Sequence, residues 1–128
     1  AMAEAGLEPR VTRVPGKIGA HEKEYQELLS TEHPEVAIVV RDSMAVSFIN
    51  VARNLHIHIP EDLQVIGFQN TKYAELSRPT LTCINTPIYE IGEEAMNLLT
   101  ELMESEEEVI DTKKLVDYNI IRRESTRN

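Results

Sequence analysis

"HPEVAIVVRDSMAVSFINVARNLHIHIPEDLQVIGFQNT", residues 33–71, decides the fold. The run from Val36 to Val40 is continuous, apolar and β-branched, the pattern of a strand buried on both faces. Arg41, Asp42 and Ser43 then open a helix, with Asp42 or Ser43 suited to cap the amides of its first turn. Met44, Phe48, Val51 and Leu55 recur at helical spacing as its apolar stripe. "IPEDLQVIGF", residues 59–68, ends in a second apolar strand and stops at Gln69, Asn70 and Thr71. Strand, helix, strand in this order predicts parallel neighbours joined by a right-handed crossover. Ligands of such sheets bind beyond the carboxyl ends of the strands. That rule selects two places, Arg41 with Asp42 and Gln69 to Thr71.

Working outward, "RVTRV" at 10–14 reads as a weak strand, and after the Pro15-Gly16 turn Ile18, Tyr25, Leu28 and Leu29 repeat at helical spacing until residues 30–34. The opening "AMAEAGLEPR" reads as the last turn of a helix stopped by Gly6 and Pro9, so the segment is expected to begin inside a larger protein. Downstream, "KYAEL" predicts a short helical turn that Asn70 and Thr71 could cap. "LTCIN" is a third strand after the "RPT" turn, a long helix spans about 88–104, and a final strand falls at about 115–121 in "LVDYNII". The expected fold class is α/β, a mostly parallel doubly wound sheet in α/β/α layers, with residues 1–128 forming one partial core. On the long helix, Ile88, Ile91, Ala95, Leu98 and Leu102 form one apolar stripe and Met96, Leu99 and Met103 another. A helix apolar over so wide an arc needs cover on more than one side.

The formal net charge is −9, and the lysines and arginines do not cluster. Nothing here resembles the basic footprint that phosphate backbones require, which argues against direct nucleic-acid binding by this segment. Cys83, the one cysteine, sits in an apolar run and reads as a small buried hydrophobe. No run approaches the ~18 apolar residues of a membrane span, so a cytoplasmic location without a membrane partner is expected.

Other motifs have plainer readings. "PGKIGAHE" lacks the ending of a phosphate loop. His56 and His58, near Glu61 and Asp62, could suggest a metal site, but two histidines at this spacing in a connection are more often surface residues. Neither a nucleophile elbow nor a dinucleotide fingerprint is present, so no catalytic residue, metal or cofactor is expected. Arg41 stands out more, because a guanidinium at the mouth of a strand suits an oxygen-rich ligand. Its plain alternative is an ion pair with Asp42 or another acid.

These segments resemble, in order, the C-terminal part of the effector-binding core of the lactose-repressor and galactose-repressor (LacI/GalR) transcription regulators. "AMAEAGLEP" is similar to the helix end before that family's glycine turn. Residues 33–71 resemble its "TAvfaaND" to "vPeDisvvGfDdt" segment, "SRPTLTCINTPIYEIGEEAMNLL" its "LTtv.qp" region, and "IIRREST" its "R.ST" ending. The resemblance covers almost the whole chain. It implies a two-lobed, periplasmic-binding-protein-like core that binds a small effector between the lobes and forms a homodimer. Operator DNA would be contacted only through an N-terminal helix-turn-helix head, which is absent from this segment. The long helix would follow a crossover and pack on the other lobe.

The resemblance places Arg41, Asp42, Gln69 and Asn70 at the effector cleft, with Lys17 a weaker candidate. The family usually carries Asn-Asp where Arg41 and Asp42 stand, and often an Asp where Gln69 stands. Both differences make the cleft more positive, which suggests an anionic metabolite such as a phosphorylated sugar or a carboxylate. For the dimer interface the resemblance implies Phe48, Val51, Ile57, Leu76 and Ser77, some of which must face the core. The expected role is therefore an effector-sensing, non-enzymatic segment of a transcription regulator. A transport-type solute-binding protein sharing the fold is the alternative.

Overall fold

A computed structural model describes residues 4, 6, 10–14, 21–104 and 113–127. The elements are α1 (Glu22–Thr31), β1 (Val36–Ile38), α2 (Asp42–Asn54), β2 (Gln64–Gly67), α3 (Lys72–Leu76), β3 (Thr82–Asn85), α4 (Ile88–Glu104) and β4 (Asn119–Ile121). The strands form one sheet in the order β1-β2-β3-β4. β1, β2 and β3 run parallel, in register Ala37 to Val65 and Ile66 to Thr82, while β4 returns antiparallel with Ile84 opposite Ile120. The sheet is thus mostly parallel, as the alternation of strands and helices requires. β4 is shorter than "LVDYNII" suggests, and residues 10–14 form no strand.

One face of the sheet carries the core. Ala37, Val39, Val65, Leu81 and Cys83 meet Tyr25 and Leu29 of α1, Ala45, Phe48, Ile49 and Ala52 of α2, and Ala74 of α3. Each fully buried large side chain among these contributes about 1.5–3 kcal/mol through loss of apolar contact with water. The buried face of α2 is centred on Ala45, Phe48, Ile49 and Ala52, while Met44 is half-buried and Leu55 exposed at the rim. The expected stripe was rotated by about one residue, because alanines pack closest to the sheet and a hydropathy pattern gives them little weight.

The expectation that Val36–Val40 is buried on both faces is corrected. Val36, Ile38 and Val40 are all exposed, Ile38 at 61% and Val40 at 69%. β1 is an outer strand, and helices α1–α3 cover only the side bearing Ala37 and Val39. α4 buries no residue at all. Its wide apolar arc therefore remains open among the described residues.

Candidate functional site

The parallel strands end together on one edge of the sheet, and three loops meet there. β1 runs through Val40 into Arg41, whose extended backbone precedes α2 (φ −117°, ψ 128°). β2 runs into Phe68, Gln69, Asn70 and Thr71, and β3 into Asn85 and Thr86. Arg41 accepts hydrogen bonds at its carbonyl from Met44 N (3.0 Å) and Ala45 N (2.9 Å). Its side chain is exposed and makes no hydrogen bond or ion pair among the described residues. The alternative of an Arg41–Asp42 pair is therefore not realised.

Asp42 points the other way. It is 1% exposed and holds the β2 loop from beneath. Oδ1 accepts from the backbone N–H groups of Phe68 (3.2 Å) and Gln69 (3.3 Å), and Oδ2 from Thr71 N (2.5 Å) and Thr71 Oγ1 (2.9 Å). Neither Asp42 nor Ser43 caps α2 through its side chain. The carboxylate caps a loop 26–29 residues away instead, and the expectation that Asp42 lines the cleft is corrected. Gly67 makes this approach possible: a Cβ there would sit 2.6 Å from Asp42 Oδ1, 2.7 Å from Leu81 Cδ2 and 2.8 Å from Cys83 Sγ. Cys83 Sγ donates to the same carboxylate oxygen at 3.6 Å. Burial first, then the nearby Asp42 charge, push its thiol up to about 11, so it stays protonated and unreactive at neutral pH.

With the loop fixed, Gln69 presents its side chain to solvent beside Arg41's strand end. Asn70 adopts the left-handed conformation (φ 55°), which asparagine tolerates better than most residues. Its amide is committed within the protein: Oδ1 accepts from Arg123 Nη2 (2.8 Å) and Nδ2 donates to Asn85 Oδ1 (3.1 Å). Asn85 Nδ2 in turn donates to Asn119 Oδ1 at 2.9 Å. Arg123 also donates to Leu81 O (2.8 Å) and lies 3.6 Å from Glu75. Sequence reasoning missed Arg123, Asn85 and Asn119. The available signal was that Asn85 and Asn119 are polar residues at the ends of apolar strands, as Asn70 is.

Lys17 lies outside the described residues. Of the expected interface residues, Phe48 and Val51 are corrected: both are buried in the core, where Phe48 packs edge-on against Tyr25 with ring centroids 5.0 Å apart. Ser77 is buried as well, its hydroxyl within reach of Ala74 O (3.1 Å) and Pro79 O (2.8 Å). Ile57 is half-buried, and Leu76 is 74% exposed beside an exposed Tyr73. His58 Nδ1 lies 3.0 Å from Asp62 Oδ2, in the turn leading to β2.

Comparison with known proteins fits this geometry. A family model described as "Periplasmic binding protein-like domain" matches residues 1–126. The chain belongs to that family. Among curated relatives, the HTH-type transcriptional repressor CytR of Escherichia coli is 38% identical over 109 residues, covering 84% of this chain and 32% of that protein. Catabolite control protein A of Staphylococcus xylosus is 32% identical over 101 residues, covering 79% of this chain and 30% of that protein. The chain thus spans about a third of the length of these relatives. Among solved structures, a transcriptional regulator CelR–cellobiose complex superposes with a TM-score of 0.82 at 25% identity, over 97% of this chain and 39% of that one. The resemblance to the C-terminal part of a LacI-type core therefore holds, and the fold is periplasmic-binding-protein-like.

Proposed function

We propose that this chain is the effector-sensing part of a LacI-type transcription regulator, and that Arg41 and Gln69 contact an anionic small metabolite at the strand ends. The observation that carries this reading is the opposite fate of two adjacent residues. Asp42 is buried and occupied by the β2 loop, whereas the Arg41 guanidinium is exposed and has no acceptor among the described residues at the same strand end. An exposed guanidinium there supplies a planar set of donors for a phosphate or carboxylate. Gln69 adds a neutral amide that both donates and accepts. The similar CelR structure, a complex with cellobiose, supports a sugar or sugar derivative as the ligand type.

In this reading the domain binds rather than catalyses. Effector bound at these strand ends and at a second lobe favours the closed arrangement of the two, and a dimer transmits that shift to operator DNA through N-terminal heads. The coupling equals the difference in effector affinity between the two states. Leu76, with Tyr73 beside it, is the exposed apolar surface best placed for such a dimer. Isothermal titration with glucose 6-phosphate and with glucose tests the proposal. The phosphorylated sugar is expected to bind more tightly, and Arg41→Ala to remove most of that preference. Equal binding of both sugars by parent and variant would refute it.

A further inference from the structure

The loop that carries Gln69 is held from two sides. Asp42 binds its backbone N–H groups from the core. From the side of β3 and β4 the grip on the loop passes through neutral groups. Thr86 Oγ1 donates to Phe68 O (3.2 Å), Asn70 Nδ2 donates to Asn85 Oδ1 (3.1 Å), and Asn70 Oδ1 accepts from Arg123 Nη2 (2.8 Å). Asn70 is the chain neighbour of Gln69, and both ends of its amide are engaged.

Arg123 is the unusual member of this network. Its side chain is 15% exposed, yet its close acceptors are two neutral carbonyl oxygens, Asn70 Oδ1 and Leu81 O, each at 2.8 Å. Its one carboxylate contact among the described residues, Glu75 Oε1, stands at 3.6 Å, beyond the ~2.7–2.9 Å of a charge-assisted hydrogen bond. The Glu75 side chain is 71% exposed, where water screens such a pair. Asp42, the buried carboxylate at these strand ends, is satisfied by the loop's own donors. Neutral oxygens satisfy the N–H groups of a guanidinium but do not cancel its charge, and a cation withdrawn from water gains from an anion brought near. A carboxylate in place of the Asn70 amide has the same shape and would cancel that charge at the same contact. Reversal of the Asn85 and Asn119 amides, now joined Nδ2 to Oδ1, would give its second oxygen a donor.

We infer that Asn70 is a specificity-determining residue: with an amide there, the Arg123 charge stays uncancelled behind the Gln69 loop and favours an anionic effector over a neutral one, which rests on the effector reading given above. Arg123 acts through Asn70 and touches no effector, so it adds to Arg41 without replacing it. The test is isothermal titration of the 128-residue chain with glucose 6-phosphate and with glucose, in the parent and in Asn70→Asp, beside urea denaturation of both. Asn70→Asp should weaken glucose 6-phosphate binding by about tenfold or more and leave glucose within about twofold. Its urea midpoint should hold or rise, because Arg123 gains a counter-charge. Asn70→Ser, neutral but without the reach of the amide, should lower the midpoint and keep the ratio of the two affinities, which separates charge from loop shape. A parent that does not prefer the phosphorylated sugar refutes the effector reading and this inference with it. A parental preference that survives Asn70→Asp, or is lost equally in Asn70→Ser, overturns the role of Asn70 alone. A urea midpoint clearly lowered in Asn70→Asp shows that Arg123 is already compensated, and overturns that role whatever the sugars do.

Discussion

Replacing Asp42 with alanine should destabilise the protein more than any other single polar substitution near the cleft. The carboxylate accepts from Thr71 N and Thr71 Oγ1 at 2.5 and 2.9 Å and from Phe68 N and Gln69 N at 3.2 and 3.3 Å. Hydrogen bonds to a charged group contribute ~1.5–3 kcal/mol each, less when long, and a buried donor left unpaired costs ~1–3 kcal/mol. The loop is partly exposed, so water replaces some of what is lost, and the net cost of Asp42→Ala comes to about 3–4 kcal/mol. With an unfolding entropy near ~2.1 cal/mol/K per residue, this lowers Tm by roughly 11–15 °C. Asp42→Asn keeps one acceptor oxygen but turns an NH2 group toward N–H donors, and should cost about half as much. Urea denaturation followed by circular dichroism measures both. An Asp42→Ala variant within ~0.5 kcal/mol of the parent would show that the carboxylate does not hold the loop.

Gly67→Ala should cost about 1–3 kcal/mol by overpacking, because its Cβ would meet Asp42, Leu81 and Cys83 within 2.8 Å; chemical denaturation measures this. Cys83 should resist a thiol reagent at pH 8 in the native state and react at once in denaturant, since its pKa is raised to about 11 and it is buried. Acid should destabilise the fold through Asp62 and Glu124. Their carboxyls are held below the usual range, chiefly by backbone N–H donors of His58 and Thr80 respectively. A folded pKa below the unfolded value gives stability that is full at neutral pH and lost as pH falls through the carboxylate range. Thermal melts from pH 7 to pH 3 should therefore show falling Tm, with a shallower fall in Glu124→Gln.

The order and type of the elements were legible because each signal was local. Val36–Val40, the helix opening at Asp42 and the strand ending at Gly67 all declare themselves within a few residues. What covers a strand is not local. Val36, Ile38 and Val40 look like a two-sided core strand, and only the position of β1 at the edge of the sheet, with helices on one side, shows that they are open. The same limit explains Phe48 and Val51, whose periodicity identifies an apolar helix face but not whether core or partner covers it. At the strand ends, the sequence located the loops but not the partnerships within them. Asp42 and Thr71 are 29 residues apart, and Asn70 and Arg123 are 53 apart, so their partnerships exist only once the sheet has formed.

The central claim, that the strand ends bearing Arg41 and Gln69 receive an anionic metabolite, is tested most directly by an NMR titration of the 15N-labelled chain with glucose 6-phosphate. The account predicts saturable shifts concentrated at Arg41, Phe68, Gln69 and Thr71, weakened at least tenfold in Arg41→Ala. Shifts centred elsewhere, or unchanged by that substitution, would contradict it.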